Sequence, residues 1–485
     1  MQIQRSLLFS GMLFSCGVAL AQPDYQRNAP SLRRAQADPA IARALASITP
    51  AQIDQTVKTL VSFGTRNTLT SMEQSLPAGQ GINAAADWIA NQFETISRRC
   101  GDCLEVKRDT FVADPASGAS WGRRIPKPTR ITNVYAVMRG TDPERSKRMV
   151  LVTGHYDSIN SNVFANWADT SGAAPGANDD ASGVAVSLAC ARALSKLKFP
   201  STIVFVAVAG EEQGLVGSEH LAKLAKSEGW QLEAVLNNDI VGGNTTPGDA
   251  LQMKDRVRVF SEGVPVAASA QEQQRIHALG KENDSESREL ARAIADVDRT
   301  YFAGTTPQTR FGAFLVDRPD RYLRGGDHSS FNREGFTAVR FTEWREDYNH
   351  QHKNVVRPAA GSSDPVQGDL PEFVDFKYVA QVARLNAATL ATLAFAPGEP
   401  QKVTIEAKDL GNGTTLSWET PAGGGVAHYE VVWRETTAPD WQYVKAVPSG
   451  DTGQVSVSLP VSKDNVIFGI RAIDAKGHRG LVVVP

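Results

Sequence analysis

Four short stretches, residues 149–153, 202–209, 234–240 and 337–341, are almost continuously apolar and rich in β-branched side chains. Runs of that length and character fit strands covered on both faces of a sheet. Segments with helical spacing of their apolar residues lie between them, as at 182–197 and 217–226. This alternation predicts an α/β fold over residues 41–396, a doubly wound and mostly parallel sheet with helices on both faces. Residues 244–310 interrupt the pattern. They are rich in Glu, Arg, Gln and Ala and are expected to form a mostly helical insertion, with the charged run 281–292 as a solvated helix face.

Beyond residue 396 the pattern changes. Pro397-Gly398-Glu399-Pro400 opens a linker at 397–402. Alternating segments follow at 403–407, 414–419, 428–434, 441–446, 454–459 and 466–472, with no helical spacing between them. Short strands at such intervals predict a small all-β, immunoglobulin-like sandwich over 403–485. At the other end, residues 22–40 are polar and read as a loose arm. Residues 1–21 carry a single basic residue, Arg5, then an apolar stretch ending Ala19-Leu20-Ala21. That is the form of a signal peptide cleaved after Ala21, so the chain is expected to be exported, to a periplasm or outside the cell. The stretch is shorter than a membrane-spanning helix requires, and no later run is long enough.

Composition narrows the picture in three ways. With 41% hydrophobic and 21% charged residues in a chain of 485, the protein is not mainly disordered. Lys and Arg total 51 against 53 for Asp and Glu, so no global basic charge points to nucleic acid as a partner. The chain has four cysteines, which excludes a disulfide-dense scaffold and a Cys-rich zinc array. Cys16 lies in the signal segment. Cys100 and Cys103 are expected to pair as a short-loop disulfide in an oxidising compartment, and Cys190 to be a buried free thiol.

The acids matter more by position than by number. The first strand ends in His155-Tyr156-Asp157, the second in Gly210-Glu211-Glu212 and the third in Asn237-Asn238-Asp239. Between the first two, Gly176-Ala177-Asn178-Asp179-Asp180 opens a helix. Ligands of open α/β sheets bind beyond the carboxyl ends of the strands. Each piece alone has an ordinary explanation, a solvated loop or a helix cap. Together they place carboxylates where they would repel one another unless a cation compensated them. Nitrogen and oxygen donors without thiolates suit Zn2+, and less specifically Mn2+ or Co2+. Gly118-Ala119-Ser120-Trp121-Gly122 has the spacing of a serine-hydrolase elbow. It lacks the strand before and the helix after that an elbow needs, so a serine nucleophile is not expected.

Taken in order, GHYDS at 154–158, GANDDASG at 176–183, GEEQGLVGS at 210–218, NNDIVG at 237–242 and EDYNHQHKN at 346–354 resemble the co-catalytic dizinc exopeptidases, among them secreted bacterial aminopeptidases. The resemblance implies that His155 and Asp239 bind one zinc, Glu212 and a late histidine the other, and that Asp179 bridges the two. It implies that Glu211 is the general base acting on a water between the metals, and that Asp157 orients His155. For the late histidine the family's spacing favours His350, with His352 as the alternative. Asn354 stands where the family usually has an acid. The segment Asp327-His328-Ser329-Ser330-Phe331 resembles a family element near the site and reads as pocket wall or as a structural turn. The substrates implied are peptides or proteins cut at the amino end. Carboxypeptidase and glutaminyl cyclase chemistry occur on the same fold and remain alternatives, as does a non-catalytic binding protein. Trp418, Tyr429, Trp433 and the ending FGIRAIDAKGHRG resemble a fibronectin type III domain. The residues of that tail leave open whether it binds a surface or polymer or serves as spacer or cap.

Overall fold

The computed structural model describes residues 29–485 except 74–75, 118–121, 303, 305–309, 409–410 and 451–452. The expected signal segment with its cleavage point, Cys16 and the Ser120 elbow lie outside the described residues.

Eight strands form one mixed sheet: β1 (Glu105–Ala113), β2 (Thr129–Met138), β3 (Arg148–His155), β4 (Thr202–Val208), β5 (Gln231–Asn238), β6 (Arg256–Ser261), β7 (Gly312–Val316) and β8 (Ala338–Thr342). Their order is β1-β2-β4-β3-β5-β8-β6-β7. The four central strands β4, β3, β5 and β8 are mutually parallel, and β1, β2 and β6 pair antiparallel with their neighbours toward the centre. The apolar runs become strands because both faces are covered. Val150 and Val152 of β3 join the core beneath the Ala181–Leu194 and Phe376–Phe395 helices. Leu151 between them points to the other core, with Leu221 and Ala222 of the Val216–Ser227 helix.

The chain passes from β3 through the Ala181–Leu194 helix to β4 on one side. It then returns through the Val216–Ser227 helix to β5 on the other. Winding therefore reverses at β3, and the carboxyl end of β3 opens on the crevice that such a reversal creates.

The insertion is not simply helical. The Ala270–Leu279 and Glu286–Tyr301 helices are present, but β6 also lies within it, paired between β8 and β7. Val257 and Val259 are buried while Arg256 and Arg258 are half-buried, a two-residue alternation hidden by the charged composition around it.

Six further strands follow among the described residues: β9 (Gln401–Ile405), β10 (Thr414–Glu419), β11 (His428–Glu435), β12 (Tyr443–Pro448), β13 (Gln454–Leu459) and β14 (Val466–Ile473). They make two antiparallel sheets, β13-β10-β9 and β12-β11-β14, around Trp418, Tyr429, Trp433 and Phe468. Trp418 meets Tyr429 edge-on, with ring centroids 5.2 Å apart. The described end of the expected loose arm is held: Leu32 N donates to Gln442 O, and Val444 N to Pro30 O, along β12.

The charged run 281–292 is corrected as well. Arg288, Glu289 and Arg292 are buried; Arg288 pairs with Asp317, while Glu289 and Arg292 form a seam with the β-tail. Arg292 pairs with Glu289 and Asp284. Arg434 from β11 pairs with Asp284, and Trp441 Nε1 donates to Glu289 at 2.9 Å. Farther along the same helix Asp296 accepts from Arg471 at 3.1 Å and from Arg479 at 3.0 Å. The partners lie 150 to 183 residues on in sequence, so no local pattern reveals them. Cys100 and Cys103 are joined by a disulfide, S–S 2.05 Å, and Cys190 is a buried free thiol.

Candidate metal centre

The site is assembled at the β3 reversal by a loop whose own hydrogen bonds fix it. Asp180 caps the Ala181–Leu194 helix, accepting from Gly183 N at 2.9 Å. It also accepts from His155 N at 3.0 Å and Ile240 N at 3.3 Å, so one carboxylate ties the helix start to the ends of β3 and β5. Gly183 allows the close approach: a Cβ there would come within 2.2 Å of Asn238 O and 2.4 Å of an Asp180 oxygen. The Asp179–Asp180 peptide is cis. Asp369 receives Asn178 N at 2.8 Å and Asp179 N at 2.7 Å, and burial pushes its carboxyl up to about 7. Arg66, fully buried, donates to the carbonyls of Leu60, Tyr156, Pro175 and Gly176 and so clamps three segments around the site.

These supports bring five of the expected residues into two groups that share Asp179. In the first, His155 Nε2 lies 3.0 Å from Asp179 Oδ1 and 3.8 Å from Asp239 Oδ1. In the second, His352 Nε2 lies 2.8 Å from Asp179 Oδ2 and 3.0 Å from Glu212 Oε1. Within each group the donor atoms all lie within 4.8 Å of one another. Asp157 sits behind His155, with Oδ1 3.4 Å from Nδ1, leaving Nε2 for the group in front. The Asp157 carboxylate is itself held by Glu211 N, Glu212 N and the Thr68 hydroxyl. Glu211 belongs to neither group and lines the adjoining cleft.

His350 is a correction. Its ring stacks on Phe373 with centroids 3.6 Å apart, and its Nδ1 faces Asp347 at 3.9 Å, away from the acids. The histidine in the cluster is His352. Residues 348–352 form turns and not an extended segment, and His352 has φ +57°, a left-handed conformation. Spacing along the chain therefore does not set which ring faces inward. Asn354 donates to Asn162 Oδ1 at 2.9 Å, so it holds the loop and not an imidazole.

Several neighbours escaped the sequence reading. Gln351 Nε2 donates to Asp179 Oδ2 at 3.0 Å. Arg340 of β8, fully buried, lies 3.0 Å from Asp239 Oδ1 and 3.1 Å from Asp320 Oδ2. A lone arginine in the apolar run of β8 was the available signal for it. His328 is no ligand, since its Nε2 is 2.8 Å from Pro319 O. Asp327 beside it is buried, which pushes its carboxyl up to about 7, and Gly325 reaches the cleft wall.

The electrostatics are those of a site short of positive charge. Burial alone would lower both His155 and His352, but the surrounding carboxylates outweigh it and hold both rings well above the usual histidine range. Burial, with Asp239, Glu212 and Asp327 nearby, drives the Glu211 carboxyl well above the ordinary range. Asp239 is held below its ordinary value because Arg340 offsets its burial. Protons on the two imidazoles thus do part of the work that a cation would do, and a metal ion would displace them. Two three-donor groups of N and O atoms, buried and sharing one carboxylate, fit zinc. The cleft they open on has a volume of about 790 Å3.

Residues 133–361 match peptidase family M28. A probable zinc metalloprotease of Pyricularia oryzae is 44% identical over 451 residues, covering 91% of this chain and 83% of that protein. A probable zinc metalloprotease of Leptosphaeria maculans is 42% identical over 439 residues, covering 90% of this chain and 95% of that one. Among solved structures, the LapA aminopeptidase of Legionella pneumophila aligns over 73% of this chain and 74% of its own, with 18% identity and a TM-score of 0.47.

Proposed function

Since the chain belongs to peptidase family M28 and is a zinc metallopeptidase, we propose that it is an exported two-zinc aminopeptidase. The observation that carries this reading is the pair of donor groups, His155/Asp179/Asp239 and Asp179/Glu212/His352, sharing Asp179. One group would hold each ion. Zinc bound there supplies Lewis acidity, acidifying a water and polarising a peptide carbonyl. Glu211 is free of both groups and faces the cleft, so its carboxylate takes the proton of the attacking water and passes it to the leaving amine. Asp157 keeps His155 oriented and its Nε2 available. The likeness of the 154–158, 176–183, 210–218, 237–242 and 346–354 segments to dizinc aminopeptidases supports cutting at the amino end. The signal-like residues 1–21 support export. The seam of buried ion pairs supports reading the β-tail as a cap on the enzyme and not a free tether.

The test is hydrolysis of aminoacyl and carboxyl-terminal reporter substrates before and after chelation, with metal analysis of the purified chain. Chelator-sensitive aminoacyl hydrolysis restored by zinc, with close to two ions per chain, is expected. One ion per chain would remove the bridging role of Asp179, and activity that survives chelation would remove the mechanism.

A further inference from the structure

The cleft beside the acidic cluster is lined by five arginines, Arg123, Arg124, Arg321, Arg324 and Arg333. Arg321 is already committed to Asp320 and Glu346. The other four are exposed and have no carboxylate partner among the described residues. Arg124 lies over the Trp167 ring at 5.4 Å, and Trp167 connects through Phe164 to His352. Arg333 donates to Ser330 Oγ at 3.2 Å. Arg324 lies next to Gly325, whose carbonyl accepts from Arg340, the partner of Asp239. Guanidinium groups therefore approach the cleft from the His352 side and from the Asp239 side. The other acid on the cleft wall, Glu219, is neutralised by Lys223 at 2.5 Å. Once the clustered acids are compensated by metal ions, the open part of the cleft carries a positive excess. Unpaired guanidinium groups in a concave site favour carboxylates, with geometry suited to two parallel hydrogen bonds.

We propose that this cleft selects peptides bearing a carboxylate close to the scissile bond, with Arg124 and Arg324 as the receiving groups on its two sides. The inference rests on the peptidase reading above and deepens it. The carboxylate has two possible sources, an acidic side chain or the free end of a short peptide, and the experiment separates them.

Zinc-loaded enzyme is given two matched pairs of short peptides. The first pair differs only in Glu against Gln beside the scissile bond, both amidated at the carboxyl end. The second pair is neutral in side chains and differs only in a free against an amidated carboxyl end. In at least one pair, kcat/KM is expected to favour the carboxylate about tenfold, the order supplied by two partly exposed charge contacts. The pair that shows it names the source. The ratio should fall toward one as ionic strength approaches about 1 M, where screening acts within about 3 Å. Arg124→Gln and Arg324→Gln should each cut the ratio about threefold, as expected for one exposed charge. Arg98→Gln, a charge on the far Gly81–Arg99 helix, should leave it in place. Equal hydrolysis within both pairs would overturn the inference and leave the peptidase reading standing. No chelator-sensitive hydrolysis of any peptide would overturn both.

Discussion

Two regions of this molecule bury clustered charge, and they do so in opposite ways. In the seam between the 286–301 helix and the β-tail, the acids Asp284, Glu289 and Asp296 each meet a guanidinium of the same chain. At the β3 reversal, Asp239 has Arg340, but Asp179 and Glu212 meet only imidazoles and amides, and the Glu211 side chain meets no partner among the described residues. A buried acid with its own cation is finished as a structural element. A buried acid without one is an unfilled demand for positive charge. The contrast separates holding from binding without reference to any motif.

The sharpest way to break the contrast is at Glu211. Glu211→Gln should lower kcat about a thousandfold, within the range for loss of a general base. Zinc content and circular dichroism should stay unchanged, because this carboxylate belongs to neither donor group. Retained activity would show that the unpartnered acid is idle. Next, His352→Ala should weaken binding of one zinc at least about a hundredfold, as expected for loss of a direct donor. His350→Ala should keep both ions, and metal analysis after dialysis reads the difference. If His350→Ala is the variant that loses metal, the structural assignment of the late histidine fails.

The seam should respond in stability and not in turnover. Arg434→Met leaves Asp284 only its contact to Arg292 at 3.3 Å and is expected to cost about 3 kcal/mol, the lower end of the range for breaking a buried pair. Thermal unfolding should show the loss while kcat of the folded enzyme is unchanged. The double variant Arg434→Met with Asp284→Asn should recover part of it, since no bare charge is left behind. The smallest effect is the pH dependence of the seam. Burial alone would raise Asp296, but Arg471 and Arg479 outweigh it and hold its carboxyl below the ordinary value. A depressed acid contributes stability that is complete above the unfolded value, about pH 4, and is lost as pH falls through the folded one. The difference in melting temperature between wild type and Asp296→Asn should therefore shrink as pH falls below about 4. A difference that stays constant across that range would mean Asp296 is not ionised in the seam.

Local sequence reveals some of this and not the rest, for physical reasons. The central strands are legible because a strand covered on both faces must be apolar throughout, as 149–153 and 202–209 are. His155, Glu211, Glu212 and Asp239 are legible because each sits at the end of such a run, and Asp179 because it precedes a helix start between two of them. His352 is harder to read because its direction is set by a chain of turns and one left-handed residue, not by any repeating geometry. The seam is illegible locally because a charged helix face looks solvated until its partners, Arg434 and Arg471, are known to lie against it. Strand β6 is masked because its arginines share the charge of the helices around it.

Gly183 carries a consequence for how such enzymes are recognised. Its missing side chain is required by the distance to Asn238 O, and Asp180 is held by three backbone amides; neither side chain donates to the metal groups. Half of the most recognisable string in this chain therefore records how a helix is seated against a sheet. A descendant that lost Glu211 or His352 could keep that string intact and still score as a peptidase by pattern. Under the two-zinc reading, inheritance of the scaffold and inheritance of the reaction are written in interleaved letters, and it is the letters at 155, 157, 179, 211, 212, 239 and 352 that would report on the second.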